Sequence, residues 1–243
     1  MMSYINYRRL LISFKQFLGQ IAKDAMLFLV CFAPFLVGLF IRYGIPFAEK
    51  LLTEYFNNSE ILLPYYLIFD LFLAAMTPMM YGFVSAMVIL GDIDDGITSY
   101  MSVTPLGKNG YLISKLGLSI IISFFITIFV LLMFSLTKFS LGVTIGLTIL
   151  TSILGLIMSI MVISISTNKV EGMAVMKLSG ILAIAIPVPF FITGNLQYLL
   201  FFFPSLWIAK FAINNGIADY LISIITSLIW ILILLKRFKK KIV

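Results

Sequence analysis

Six apolar runs, each close to the length a helix needs to cross a bilayer, govern what this chain can fold into. They lie at Ala25–Ile41, Tyr65–Leu90, Leu116–Leu136, Phe139–Ser166, Leu178–Thr193 and Ile217–Leu235, against roughly 17–25 residues for a spanning helix. Backbone N–H and C=O groups in hydrocarbon must be satisfied internally, so the runs are expected to be helical. A further apolar stretch, Leu196–Phe211, is broken by Pro204 and carries Lys210. It reads as a helical excursion on the outer side and not as a seventh span. The expected fold is an all-α integral membrane protein with six transmembrane helices.

Composition excludes several functions. With 62% hydrophobic residues, 11% charged and a mean hydropathy of +1.13, the chain carries more apolar surface than a soluble core of this size absorbs. It has no histidine, which removes His-ligated zinc or haem and the HExxH protease signature. The single cysteine, Cys31, excludes an intramolecular disulfide. No paired carboxylates fall inside the spans, so metal or aspartyl chemistry has nothing to work with. The first twenty or so residues are too polar for a signal peptide.

Basic residues are spread unevenly about the six runs. With a cytoplasmic N-terminus, 13 of the 17 Lys and Arg residues fall on the cytoplasmic side, and Arg42, Lys50, Lys138 and Lys210 fall outside. The positive-inside rule then puts both termini in the cytoplasm. The net charge of +7 is therefore a topology signal; nucleic-acid binding would need the cations on one soluble face. Residues 1–24 carry Tyr4, Tyr7, Leu10, Leu11, Phe14, Phe17, Leu18 and Ile21 at helical spacing, with Arg8, Arg9, Lys15 and Lys23 between them. That pattern fits an amphipathic helix in the inner interface, or a snorkelling lead-in to the first span. Residues 25–235 hold the six runs as one span domain, and residues 236–243 form a basic stop-transfer tail.

Between the second and third runs lies a polar island, Gly91–Leu116, that holds Asp92, Asp94 and Asp95. Gly96 follows, then a mildly amphipathic stretch, then the Thr104-Pro105-Leu106-Gly107 break, where Pro105 disfavours helix at its predecessor. Asp95-Gly96-Ile97-Thr98-Ser99-Tyr100-Met101-Ser102-Val103-Thr104-Pro105-Leu106 resembles the intracellular segment of ATP-binding-cassette (ABC) type 2 permeases. Phe203-Pro204-Ser205-Leu206-Trp207 is similar to that family's P-x-x-W pattern in an outward re-entrant hairpin. This sequence departs from the family at Ile97 and Gly107.

The resemblance implies the membrane subunit of a bacterial ABC exporter, moving a hydrophobic or amphipathic compound such as a drug or peptide antibiotic out of the cell. It implies a coupling helix within residues 91–110 that docks on a separate ATPase subunit through Asp92, Asp94, Asp95, Gly96, Thr104, Pro105 and Leu106. A re-entrant hairpin over residues 194–212, with Pro204 and Trp207, and pairing with a second permease copy or a related chain are implied as well. No GxxxxGK[ST] occurs, so the chain itself is expected to be no enzyme and to hold no cofactor; ATP and Mg would belong to the partner. ATP-driven closure of the ATPase subunits would then move the coupling segment as a lever.

Polar residues inside the runs are the remaining candidates. Ser119, Ser123 and Thr127 share one face of the third run, and Gly142, Gly146, Thr148, Ser152, Gly155 and Ser159 recur along the fourth. Such spacing favours close helix packing over a polar path. Asp70 is the carboxylate well inside a run, about two turns from its outer end, a functional candidate by default or a cap for a neighbouring helix. Met76, Met79, Met80, Phe83 and Met87 form an adaptable stripe. Asp70, Met76, Met80, Ser119, Ser123 and Thr127 thus make up the candidate translocation path. A secondary transporter and a non-transporting membrane scaffold are the rival classes; the first would show ionisable residues at the midplane and internal repeats, and neither is seen.

Overall fold

The computed structural model describes residues 7–57, 59–97, 107–192 and 194–242. Helix α1 (Tyr7–Lys23) precedes α2 (Ala25–Leu39), which continues through a π turn at Phe40–Gly44 into α3 (Ile45–Phe56). A 3-10 turn at Leu63–Tyr65 opens α4 (Tyr66–Asp94), and α5 (Gly107–Phe134) and α6 (Leu141–Ile165) follow. The fifth passage is broken into α7 (Lys169–Leu178), a 3-10 turn at Ser179–Ala183 and α8 (Val188–Phe191). A 3-10 turn at Asn195–Leu200 and α9 (Pro204–Asn214) lead into α10 (Ile217–Ile242). The described residues contain no strand, and six helical segments are long and apolar enough to cross a membrane: Ala25–Phe56, Leu63–Asp94, Gly110–Phe134, Leu141–Ile165, Lys169–Phe191 and Ile217–Phe238.

Two of these segments form the centre. The most apolar windows of the α4 and α6 spans are 83% and 78% buried, against 22–33% for the other four, so the outer four carry apolar faces that the bundle itself leaves exposed. The central pair meets backbone to backbone. A Cβ on Gly82 would run into the Gly155 carbonyl oxygen, and one on Gly155 into the Pro78 carbonyl. Ser159 Oγ bridges the crossing, donating to Gly82 O at 2.8 Å and to Gly155 O at 3.0 Å. The small-residue spacing of the fourth run therefore serves packing. On α5, Ser119 Oγ donates to Tyr81 O of α4 at 2.7 Å, while Ser123 and Thr127 bond carbonyls of their own helix.

Caps and breaks follow from local chemistry. Asp24 separates α1 from α2, its carboxylate accepting from Met26 N at 3.1 Å and Leu27 N at 3.2 Å. Ser140 caps α6 and Asn168 caps α7 in the same way, each satisfying an orphan N–H of the first turn. Gly96 takes φ +71° just past α4, a left-handed position that a side chain resists.

Several boundaries differ from those expected, three of them for reasons the contacts supply. The first span does not stop at Ile41: Arg42 donates to Ser135 O at 3.0 Å, and Glu49 accepts from Ile61 N and Leu62 N at 2.9 and 2.6 Å, so the charged residues are satisfied and the helical run reaches Phe56. The fifth passage begins at Lys169, not Leu178, because the Asn168 cap starts a helix there, and exposed Lys177 rides within it. The second helix runs on through Asp94, which places Asp92 and Asp94 in its last turn and not in a separate loop.

Candidate functional sites at the two ends of the bundle

The end of the bundle that carries α1 is built around Asp92. Asp92, one of the carboxylates that the resemblance assigns to docking, is 3% exposed. Lys115 Nζ and Tyr111 OH both bond its Oδ2, and Gln20 Nε2 donates to its Oδ1 at 2.8 Å. Lys115 also donates to Gln20 Oε1 at 2.9 Å, so one buried cluster joins α1, α4 and α5. The reason is the extension of α4, which carries Asp92 into the packed bundle, where α5 supplies the counter-ion. Asp92 thus ties the root of the segment into the bundle.

Asp94 and Asp95 remain exposed beside it. Asp94 accepts from Lys169 N at 2.9 Å, and Lys169 Nζ pairs with Asp24, so the start of the fifth passage is tied to the α1–α2 junction. The bond from Lys169 holds the Asp24 carboxyl below its usual range, against a smaller opposing effect of burial. Gly96 is described; Thr104, Pro105 and Leu106 lie outside the described residues.

At the opposite end Asp70 is fully buried and acts as a clamp on the α5–α6 connection. It accepts from Leu136 N at 2.9 Å and from Thr137 N at 2.7 Å, with the Thr137 hydroxyl donating as well.

The turn before α9 sits alongside the middle of α10. Trp207 Nε1 donates to Phe201 O at 2.8 Å and Trp230 Nε1 to Phe202 O at 2.9 Å, so two indoles hold consecutive carbonyls. Trp230 lies about 20 Å along α10 from Ile217 by the helical rise. Pro204 opens α9, where its missing N–H is no loss. Lys210, buried on α9, lies over the Tyr198 and Trp207 rings.

The remaining path candidates do not converge. Met76 and Met80 are half-buried a turn apart on α4, whereas Met79, Phe83 and Met87 are core. Ser119 lines a lateral apolar groove of about 250 Å³ between α1, α2, α4 and α5, with Phe17, Phe28, Cys31, Phe32 and Tyr81. Ser123 and Thr127 are buried in the α5 packing face. Sequence reasoning missed Gln20, Tyr111, Lys169, Tyr198 and Trp230 as partners, because each acquires its role only through a residue on another element. Among the described residues no group of three His, Cys, Asp or Glu side chains could hold a metal ion.

Comparison with known proteins gives a family match. A model of fluoroquinolones export permease proteins, described as Rv2686c-like, matches residues 17–237. Fluoroquinolones export permease proteins of Mycobacterium tuberculosis, from strain ATCC 25618 / H37Rv and from strain CDC 1551 / Oshkosh, are each 23% identical over 200 residues, covering 77% of this chain and 75% of theirs. No solved structure matches the chain.

Proposed function

The chain belongs to this family of export permeases, and on that premise we propose that it is the transmembrane subunit of an ATP-driven exporter of the ABC type 2 class. The observation that carries the reading is the family match over residues 17–237, on a chain with six candidate membrane spans. Its cargo is a hydrophobic or amphipathic compound of the drug class, as the names of the relatives suggest. A separate ATPase subunit binds ATP and Mg, and this chain, which has no phosphate-binding loop, holds neither. It works beside a second permease copy or a related chain. Both termini lie in the cytoplasm of a bacterial cell, as the 13-to-4 split of basic residues favours.

In this reading the α1 end is the cytoplasmic end. Exposed Asp94 and Asp95 meet basic residues on the ATPase, while buried Asp92 passes the displacement to α1 and α5. Helix α1 lies in the inner interface: Phe17 and Ile21 pack inward, and Lys15, Gln16 and Lys23 face out. The turn at residues 201–203, held against the middle of α10 by the two indoles, supports a re-entrant hairpin from the outer side.

The test is drug accumulation in cells that express the chain with an ABC ATPase from its own genome, together with recovery of that ATPase on the purified chain. Accumulation should fall only when both are present. Asp94→Lys with Asp95→Lys should release the ATPase, since like charges at an interface cost several kcal/mol, while the permease stays in the membrane. ATP turnover by the purified chain alone, or export untouched by the double reversal, would overturn the assignment.

A further inference from the structure

Lys210 is 8% exposed on α9, within the segment that joins the fifth and sixth spans. The other buried or half-buried lysines at the opposite end have carboxylate partners, Lys115 with Asp92 and Lys169 with Asp24. Lys210 has only ring faces: its Nζ lies 3.9 Å from the Tyr198 centroid and 5.1 Å from that of Trp207. Among the described residues no carboxylate comes within ion-pairing distance of it. The next acid along the chain, Asp219, is engaged by Asn214 Nδ2 at 3.0 Å. Ring faces attract the cation but leave the three N–H donors of an ammonium without a strong acceptor. A buried cation in a membrane protein without an anion is a functional position by default.

The surroundings specify what would complete it. Trp207 is locked in place by its N–H bond to Phe201 O at 2.8 Å, so its ring is a fixed wall. Tyr198 is 44% exposed and forms the open side. One cation faced by two aromatic rings suits a planar aromatic acid, its carboxylate on Lys210 and its ring against the indole or phenol. We propose that Lys210, Tyr198 and Trp207 form a subsite for an aromatic carboxylate at the end of the bundle opposite α1. Its part in transport rests on the exporter reading, in which a fluoroquinolone, itself an aromatic carboxylate, is a fitting occupant.

The experiment titrates the purified full chain in detergent with 1-naphthoate and, as the neutral isostere, 1-naphthamide, by calorimetry. The wild type should favour the acid about tenfold, about 1.4 kcal/mol. Lys210→Met should erase that preference and Lys210→Arg should keep it. Tyr198→Leu, at a half-exposed position, should weaken both ligands severalfold with the lysine still present. No preference in the wild type, or a preference that survives Lys210→Met, would overturn the subsite; the second result would assign the effect to the net charge of the chain. In cells, export of ciprofloxacin should depend on Lys210, and export of its methyl ester should not. Acid preference without drug export refutes the exporter reading alone, whereas export with no dependence on Lys210 removes the subsite from the transport path.

Discussion

Breaking the buried Asp92–Lys115 pair should cost far more than removing it. The two side chains are 3% and 6% exposed and face each other across α4 and α5. Lys115→Met leaves a buried carboxylate without its cation, and Asp92→Leu leaves a buried ammonium without its anion. Each should destabilise by about 3–5 kcal/mol, which in a chain of this size is a fall of roughly 6–20 °C in midpoint temperature. Were the sites independent, the double variant would lose the sum. It should instead lose only about 1–3 kcal/mol, because what remains is the Tyr111 hydroxyl and the Gln20 amide without their acceptor. The coupling energy is then about 3–9 kcal/mol, and adding Tyr111→Phe should recover part of the remaining loss. The assay is reversible unfolding of each variant in mixed micelles by dodecyl sulfate titration, followed by circular dichroism. Additivity to within about 0.5 kcal/mol, or single changes that do nothing, would show that the cluster is not a closed network.

Gly82→Ala should separate α4 from α6 and destabilise by about 1–3 kcal/mol through overpacking, since its methyl would meet the Gly155 carbonyl; Gly117→Ala, with open space around it, should be neutral or better. Thermal stability in detergent decides between them. The Asp24 carboxyl is held below its ordinary value of 3.8 by Lys169, so it favours the folded state above that pH and loses the contribution as pH falls through its lowered value. Asp24→Asn should lower stability above about pH 4, where the charged carboxylate contributes, and flatten the acid limb below it; an unaltered limb would remove the pair from the account. In a Cys31→Ala background, a cysteine at Asn57 should react with an impermeant reagent in intact cells and one at Asn109 should not, and the opposite pattern would invert the topology.

How much of this could be read from the residues depends on how far apart the interacting partners sit. The six spans and the glycine and serine pattern of the central crossing were legible, because length, apolarity and a fourth-residue spacing are properties of one helix. The burial of Asp92 was not legible for the converse reason. Its neighbours in sequence are polar, so it resembles a loop residue, yet its partner Gln20 is 72 positions away and its counter-ion 23. The Lys210 environment hid in the same way, since Tyr198 reaches it only after the chain reverses at residues 201–203. The fifth passage carries Pro187 and Pro189 at the start of α8, but the Asn168 cap that moves its start to Lys169 is a polar signal outside the apolar run.

Helix α4 carries a buried carboxylate near each end, and both are bound to the same neighbour: Asp92 to Lys115 and Tyr111 within α5, Asp70 to Leu136 and Thr137 just beyond it. The two pins are about 33 Å apart along the helix, close to the thickness of the hydrocarbon layer. Two fastenings so far apart act like paired rivets on a strut. They forbid α5 to slide or ratchet past α4, for a shift of one turn would strand both carboxylates at once. Any displacement delivered at one face of the bilayer must therefore arrive at the other as a tilt of the α4–α5 pair moving as one beam.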